Sequence, residues 1–181
     1  MGSLPAFNVA PATPTPLMSE SWKIKLLRWR FNWYPAYRRS GARITRIAED
    51  LMEIDIRLPL NRATSNLHGT IYGGAIYAAV DPLHAVMVAT HLGPDYHIWM
   101  KSARIEFRRP GRTDLHARVR LHAHELEEIR AALITAHKVD REFSVSLVDT
   151  KGEPAAHVYL TVHIRRRQHH EAPMQSIAFP P

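Results

Sequence analysis

A chain of 181 residues that is 45% hydrophobic is long enough to bury one sizeable core and too apolar for global disorder. It has no cysteine, which excludes disulfide scaffolds, thiol nucleophiles and Cys-based zinc sites together. A formal charge of +7 and a pI near 10.0 favour polyanionic partners, whether nucleic acid, an acidic membrane or a phosphate-rich molecule such as coenzyme A.

The opening, MGSLPAFNVAPATPTP, has neither a basic start nor a continuous apolar region, so no secretory signal is expected. No apolar run of about 18 residues is free of charge and proline. No nucleic-acid motif is present. A cytoplasmic protein without a nucleic-acid partner is the expectation. Residues 1–18, rich in Pro, Ala and Thr, read as a disordered tail, 19–166 as a single domain beginning with a helix, and 167–181 as a flexible tail.

From Ser19 the character changes to SESWKIKLLRWRFNWYP. At helical spacing Trp22, Leu26, Trp29 and Trp33 form one stripe, with Ile24, Leu27 and Phe31 opposite and Lys23, Lys25, Arg28 and Arg30 between. Such a helix can lie on a membrane surface. A helix clamped between the sheet and a loop or second subunit accounts better for two apolar faces, so membrane contact is the lesser expectation.

Ala42–Leu60 reads as two strands, the second with Met52, Ile54, Ile56 and Leu58 alternating with Glu53, Asp55 and Arg57. A helix is expected from Gly73 to His91, closed by Gly93-Pro94. Tyr96–Phe107 returns to period two, placing Trp99, Ala103, Ile105 and Phe107 on one side. LHARVRLHAH then reads as a strand, ELEEIRAALITAH as a helix with an acidic start and a His-Lys end, and two final strands flank the turn Thr150–Glu153. One dominant apolar helix with an antiparallel sheet around it is an α+β arrangement.

Within the central helix Asp81 is the lone carboxylate, and Pro82 after it predicts a kink that frees the Ala78 carbonyl. Gly73-Gly74 sits at the helix start, where unpaired N–H groups carry about half a positive charge. That favours an oxyanion or phosphate, although a tight loop needing positive φ also explains two glycines. Asp81 lies seven residues past Gly74, about 10 Å along the axis, too far for both to act on one carbonyl from a single chain. Two antiparallel copies related by a dimer two-fold would bring Gly73 of one opposite Asp81 of the other. The alternative for Asp81 is a pair with His84 or an arginine.

The spacing Asn66-x-x-Gly69-Thr70-x-Tyr72-Gly73-Gly74, then six residues and Asp81, resembles the core motif of hotdog-fold acyl-CoA thioesterases of the phenylacetate-degradation type, Asn-x-x-Gly-x-x-His-Gly-Gly, then six residues and Asp. The wider run from WRFNWYPAYRRSGARITRIAEDL through IEFRRPGR is similar to an uncharacterised thioesterase-like hotdog branch, over roughly residues 25–165. The resemblance implies a hotdog fold, an antiparallel β-sheet wrapped around a long central helix. It also implies metal-free hydrolysis of acyl-CoA or acyl-carrier-protein thioesters by a homodimer or dimer of dimers. No cofactor is implied, coenzyme A being part of the substrate.

Carried over by position, Asp81 is the general base or nucleophile, the Gly73 N–H binds the thioester oxygen, and Asn66 places the attacking water. Gly69, Thr70, Tyr72 and Gly74 then surround the substrate. Arg108 and Arg109, with Arg112, can hold coenzyme A phosphates or form an ordinary solvated turn. The motif's His is Tyr72 here, a poor proton acceptor near neutral pH, which keeps open a second reading: a non-catalytic module that binds fatty acyl chains or acyl thioesters. His68 could partly compensate but reads first as a solvated loop residue. Met100, Lys101 and Ser102 occupy the strand position where some relatives place Ser or Thr, without an assigned role. His122 and His124 share one face of an expected strand, and no third ligand is in register to make a metal site.

Overall fold

The alternating segments become six strands of one antiparallel sheet. The computed structural model describes residues 20–168. The expected tails lie outside the described residues, save for Arg167 and Gln168, which follow the last strand. In chain order the elements are α1 (Trp22–Trp33), α2 (Pro35–Arg39), β1 (Arg43–Ile47), β2 (Glu53–Leu58), α3 (Gly73–Val80), α4 (Leu83–Leu92), β3 (Tyr96–Phe107), β4 (Leu115–Arg120), α5 (Ala123–Thr135), β5 (Lys138–Val148) and β6 (Pro154–Arg166). The strand order is β1-β2-β4-β5-β6-β3, which leaves the 12-residue β3 at an edge.

Alternation decides which face is wet. Ile54, Ile56 and Leu58 of β2, Phe143, Val145 and Leu147 of β5, and the even-numbered residues from Ala156 to Ile164 of β6 are buried on one face. Ala79, Val80, Leu83, Met87 and Val88 of α3 and α4 pack against them. Each fully buried Ile, Leu or Met contributes roughly 1.5–3 kcal/mol, so this seam dominates the apolar stabilisation. The opposite face carries ion pairs: Arg46, Arg118 and Arg120 share Glu53 and Asp55. Burial alone would raise the Asp55 pKa, but hydrogen bonds from Arg118 and Arg46 reverse the sign and hold the carboxyl below its ordinary range. The arrangement is the α+β sheet around one long helix that the resemblance implied.

The Gly73–Leu92 stretch is interrupted at Asp81-Pro82, as the proline predicts. The Asp81 N–H closes α3 on the Tyr77 carbonyl at 3.0 Å, and the ladder resumes from Val86 N–H to Pro82 C=O at 2.9 Å. Gly93, at φ 84°, terminates α4. By length and mean hydropathy this stretch could cross a bilayer, but half of it is buried inside the fold.

Four details differ from the sequence reading. The expected face of Trp99, Ala103, Ile105 and Phe107 is broken by a register shift between Met100 and Ser102. An extra residue flips the alternation, so Ile98 and Met100 share the core face with Ala103, Ile105 and Phe107, whereas Trp99 points outward against His163. β4 ends at Arg120, so His122 and His124 do not share a strand face: His122 caps α5 and His124 lies in its first turn, the two rings stacked at 5.5 Å. α5 itself ends at Thr135, before His137 and Lys138, which therefore do not serve its C-terminus. Finally, α1 buries only the Ile24 and Phe31 face, and the tryptophan stripe faces solvent.

α1 is seated by polar contacts as well as by packing. The Asn32 amide accepts from the Ile44 N–H at 2.8 Å and donates to the Ile44 C=O at 2.9 Å, standing in for a neighbouring strand along β1. The buried Tyr37 hydroxyl donates to the Ala79 carbonyl at 3.2 Å, tying α2 to the central helix.

Candidate active site at the central helix

The loop leading to α3 is built around Asn66. Its Oδ1 accepts from the His68 N–H at 2.9 Å, the Thr70 N–H at 3.2 Å and the Thr70 hydroxyl at 3.2 Å, while its Nδ2 donates to Thr70 Oγ1 at 2.9 Å. Asx side chains mimic backbone in this way and fix tight turns. Gly69 adopts φ 71° at the turn, where a Cβ would be strained. The Ile71 N–H reaches the Gly111 carbonyl and the Tyr72 N–H the Thr64 carbonyl, both at 2.8 Å, so the chain enters α3 in a fixed direction. Asn66 thus shapes the loop, and Thr70 is buried within it, while His68 is exposed.

Neither Gly73 nor Gly74 has positive φ, which removes the tight-loop explanation for the pair. What both need is space. A Cβ on Gly74 would lie 2.1 Å from the Tyr72 hydroxyl oxygen, and one on Gly73 would lie 2.9 Å from Phe107 Cζ. Two aromatic rings therefore close on the helix start, and Tyr72 occupies the N-cap without a side-chain capping bond. The Ala75 and Ile76 N–H groups turn to the Tyr72 carbonyl. Among the described residues no acceptor pairs with the Gly73 or Gly74 N–H, so the positive pole of the dipole is unsatisfied beside those two rings.

Asp81 lies on the side of the central helix that the sheet does not cover, half-buried in company with Tyr77, Ala85, Val86 and Ala89. The Tyr77 hydroxyl donates to Asp81 Oδ1 at 2.5 Å, and that bond, followed by burial and the carboxylate charge, pushes the Tyr77 phenol up to about 12. Tyr77, one turn before the carboxylate, is the site residue that sequence reasoning missed; the i, i+4 spacing was its signal. His84, the partner weighed for Asp81, points the other way. Its Nε2 is 3.2 Å from the Arg120 carbonyl, its ring stacks on Phe143 at 4.6 Å, and its buried Nδ1 has no partner among the described residues. Burial, opposed by the bond to the Arg120 carbonyl, brings its pKa down to about 4, so the imidazole is neutral.

Arg108 and Arg109 follow Phe107 directly and so stand near the α3 start. Both are half exposed and paired, Arg108 with Glu106 at 2.7 Å and Arg109 with Glu153 at 3.1 Å. A phosphate would have to compete with those carboxylates. Lys101 is paired with Asp140 at 2.5 Å on the outer face of the β3 bulge. The motif residues gather at one end of α3, with Asp81 near its other end. A separate cleft of about 630 Å³ opens where β4 and β5 diverge after their single register pair, His116 with Val148. Polar Arg118, Arg120 and Ser144 line it above His84 and Phe143, and it includes neither Gly73 nor Asp81.

No functionally curated protein matches the chain. Solved structures do, at the level of the fold. PA5026 of Pseudomonas aeruginosa, described as a protein of unknown function and probable thioesterase, superposes with a TM-score of 0.69 at 22% identity over 79% of this chain and 95% of its own. Thioesterase HI1161 of Haemophilus influenzae gives 0.61 at 15% identity over 84% and 97%. A mutant of thioesterase PA1618 of P. aeruginosa gives 0.60 at 14% over 80% and 94%. The fold is therefore the hotdog fold, as the resemblance implied. A family model covers residues 25–164, nearly the whole described region, and the chain belongs to that family, described as a domain of unknown function (DUF4442).

Proposed function

We propose that the chain is an acyl-thioester hydrolase whose site is completed by a second copy. The observation that carries this reading is the unpaired Gly73–Gly74 N–H pole at one end of α3, with a half-buried carboxylate, Asp81, about 10 Å along the same helix. One chain separates them too far for one carbonyl. The uncovered helix side, small apart from Tyr77 and Asp81, suits a neighbouring helix. At the sheet edge β3 is a long strand that, among the described residues, pairs with a neighbouring strand on one side only, which suits an isologous contact.

In such a pair the thioester carbonyl oxygen accepts from the Gly73 N–H of one copy. Asp81 of the other takes a proton from water as it attacks the carbonyl carbon. The tetrahedral oxyanion is held at the helix start, the C–S bond breaks, and the thiolate leaves with the proton returned by Asp81. The products are a carboxylic acid and a thiol, and no metal or cofactor enters. The substrate class is an acyl thioester of coenzyme A or of a carrier protein, with Arg108 and Arg109 near the entrance.

A second reading is favoured by Tyr72. Its ring covers Gly74 where the motif has a histidine, and a phenol is a poor proton acceptor. A module that holds an acyl thioester without cleaving it would keep the helix pole and not need Asp81. Thiol release from a panel of acyl-CoAs separates the two: turnover that Asp81→Ala abolishes supports hydrolysis, and tight binding with no release above background supports the holding module.

A further inference from the structure

We propose that the solvent-facing side of α1 docks on an anionic lipid surface. At about 100° per residue, Trp22, Leu26, Trp29 and Trp33 fall within roughly a 60° arc, opposite the buried Ile24 and Phe31. They are 70%, 46%, 56% and 54% exposed, although large apolar side chains are rarely left in solvent as a contiguous row. Lys25 flanks the row on one side, and Lys23 and Arg30 on the other. α2 adds Arg38, stacked on the Trp33 ring at 4.6 Å, and Arg39.

Charge identifies the occupant. From Trp22 to Ala48 the chain carries Lys23, Lys25, Arg28, Arg30, Arg38, Arg39, Arg43 and Arg46 and not one Asp or Glu. Of these, Arg28 and Arg46 are paired with carboxylates from outside the segment. A second copy meeting this face across a two-fold would set the same excess of positive charge against itself. An anionic bilayer satisfies both features: tryptophan rings settle at the headgroup level, and lysine and arginine stems lie along the apolar surface while their heads reach lipid phosphates. The helix need not reorganise to do so, because Asn32 and Phe31 already hold its other side on β1.

The test uses full-length protein with Trp99→Phe, so that the three tryptophans of α1 are the fluorophores. Vesicles of phosphatidylcholine with and without 30% phosphatidylglycerol are the probes, at low and high salt. Binding to the anionic vesicles, a blue shift of emission and quenching by brominated acyl chains are expected, with at least a tenfold weakening at high salt. Trp29→Ser/Trp33→Ser and Lys23→Glu/Lys25→Glu should each weaken binding at least tenfold, with circular dichroism and short-chain thiol release unchanged. Three results would overturn the proposal: equal binding to neutral vesicles or none at all; a smaller oligomer for the tryptophan variant, which would give the face to a second copy; or tighter binding to single-stranded RNA than to the vesicles.

Discussion

Tyr77 and Asp81, one helical turn apart, share a 2.5 Å hydrogen bond on the side of the central helix that the sheet leaves open. The bond fixes the carboxylate rotamer and leaves its second oxygen free to act. It also marks Asp81 spectroscopically, because the bond to Asp81 is the largest cause holding the Tyr77 phenol near 12. In Asp81→Asn the phenol returns toward its ordinary value of about 10. Absorbance at 295 nm at pH 11 should then exceed that of the wild type by about one tyrosinate. Equal spectra would mean that the two side chains do not interact in solution.

Buried His84 gives stability a specific pH window. Its folded pKa, about 4, lies below the unfolded value of 6.5, so the unfolded chain binds the extra proton. Its contribution is complete above pH 6.5 and is lost as pH falls toward 4. At 1.36 kcal/mol per unit the loss is about 3 kcal/mol. Urea unfolding across that range should show the decline in the wild type and a flatter curve in His84→Gln. Parallel curves would rule out a neutral buried imidazole.

Asn32 replaces a missing strand at Ile44, so Asn32→Ala leaves a buried N–H and C=O without partners. A cost of about 2–3 kcal/mol is expected from two unmade bonds, read as a lower urea midpoint at constant slope. A change under 0.5 kcal/mol would show that water replaces the amide freely.

Tyr72 stands where the motif has histidine, and its ring closes over Gly74. Tyr72→His should raise kcat for thiol release about tenfold with little change in KM, because the imidazole can exchange a proton near neutral pH. Gly74→Ala should lower stability in a wild-type background and much less in Tyr72→Ala, where the ring that the new methyl group would meet is gone. Unchanged kcat in Tyr72→His would assign the position to packing alone.

The strands were legible because period two shows directly in β2, β5 and β6, and the kink because Pro82 cannot donate. The Asn66–Asp81 spacing was equally legible, since a motif is local. What sequence did not show were effects that need a third dimension. One inserted residue at Lys101 reverses the alternation that places Trp99. His-Ala-His continues the pattern of β4 although the backbone has already turned into α5. Asp81 chooses Tyr77 over His84 because His84 faces the sheet. The tryptophan stripe was visible in the sequence, but whether anything covers it was not.

Complementation between two variants tests the shared site most directly. Gly73→Pro, made in a Phe107→Ala background because a Cβ at Gly73 would lie 2.9 Å from Phe107 Cζ, deletes the N–H that binds the thioester oxygen at a first helical position whose backbone suits proline, and Asp81→Ala in the same background deletes the base. Each homo-oligomer should lose at least 100-fold in kcat for acyl-CoA hydrolysis. Co-expressed and purified as a differentially tagged hetero-oligomer, the two chains rebuild one intact site in two, and about half the activity of the Phe107→Ala parent should return. Failure of the hetero-oligomer to regain activity, or thiol release by Asp81→Ala as fast as by the wild type, would contradict a site assembled from Gly73 of one chain and Asp81 of another.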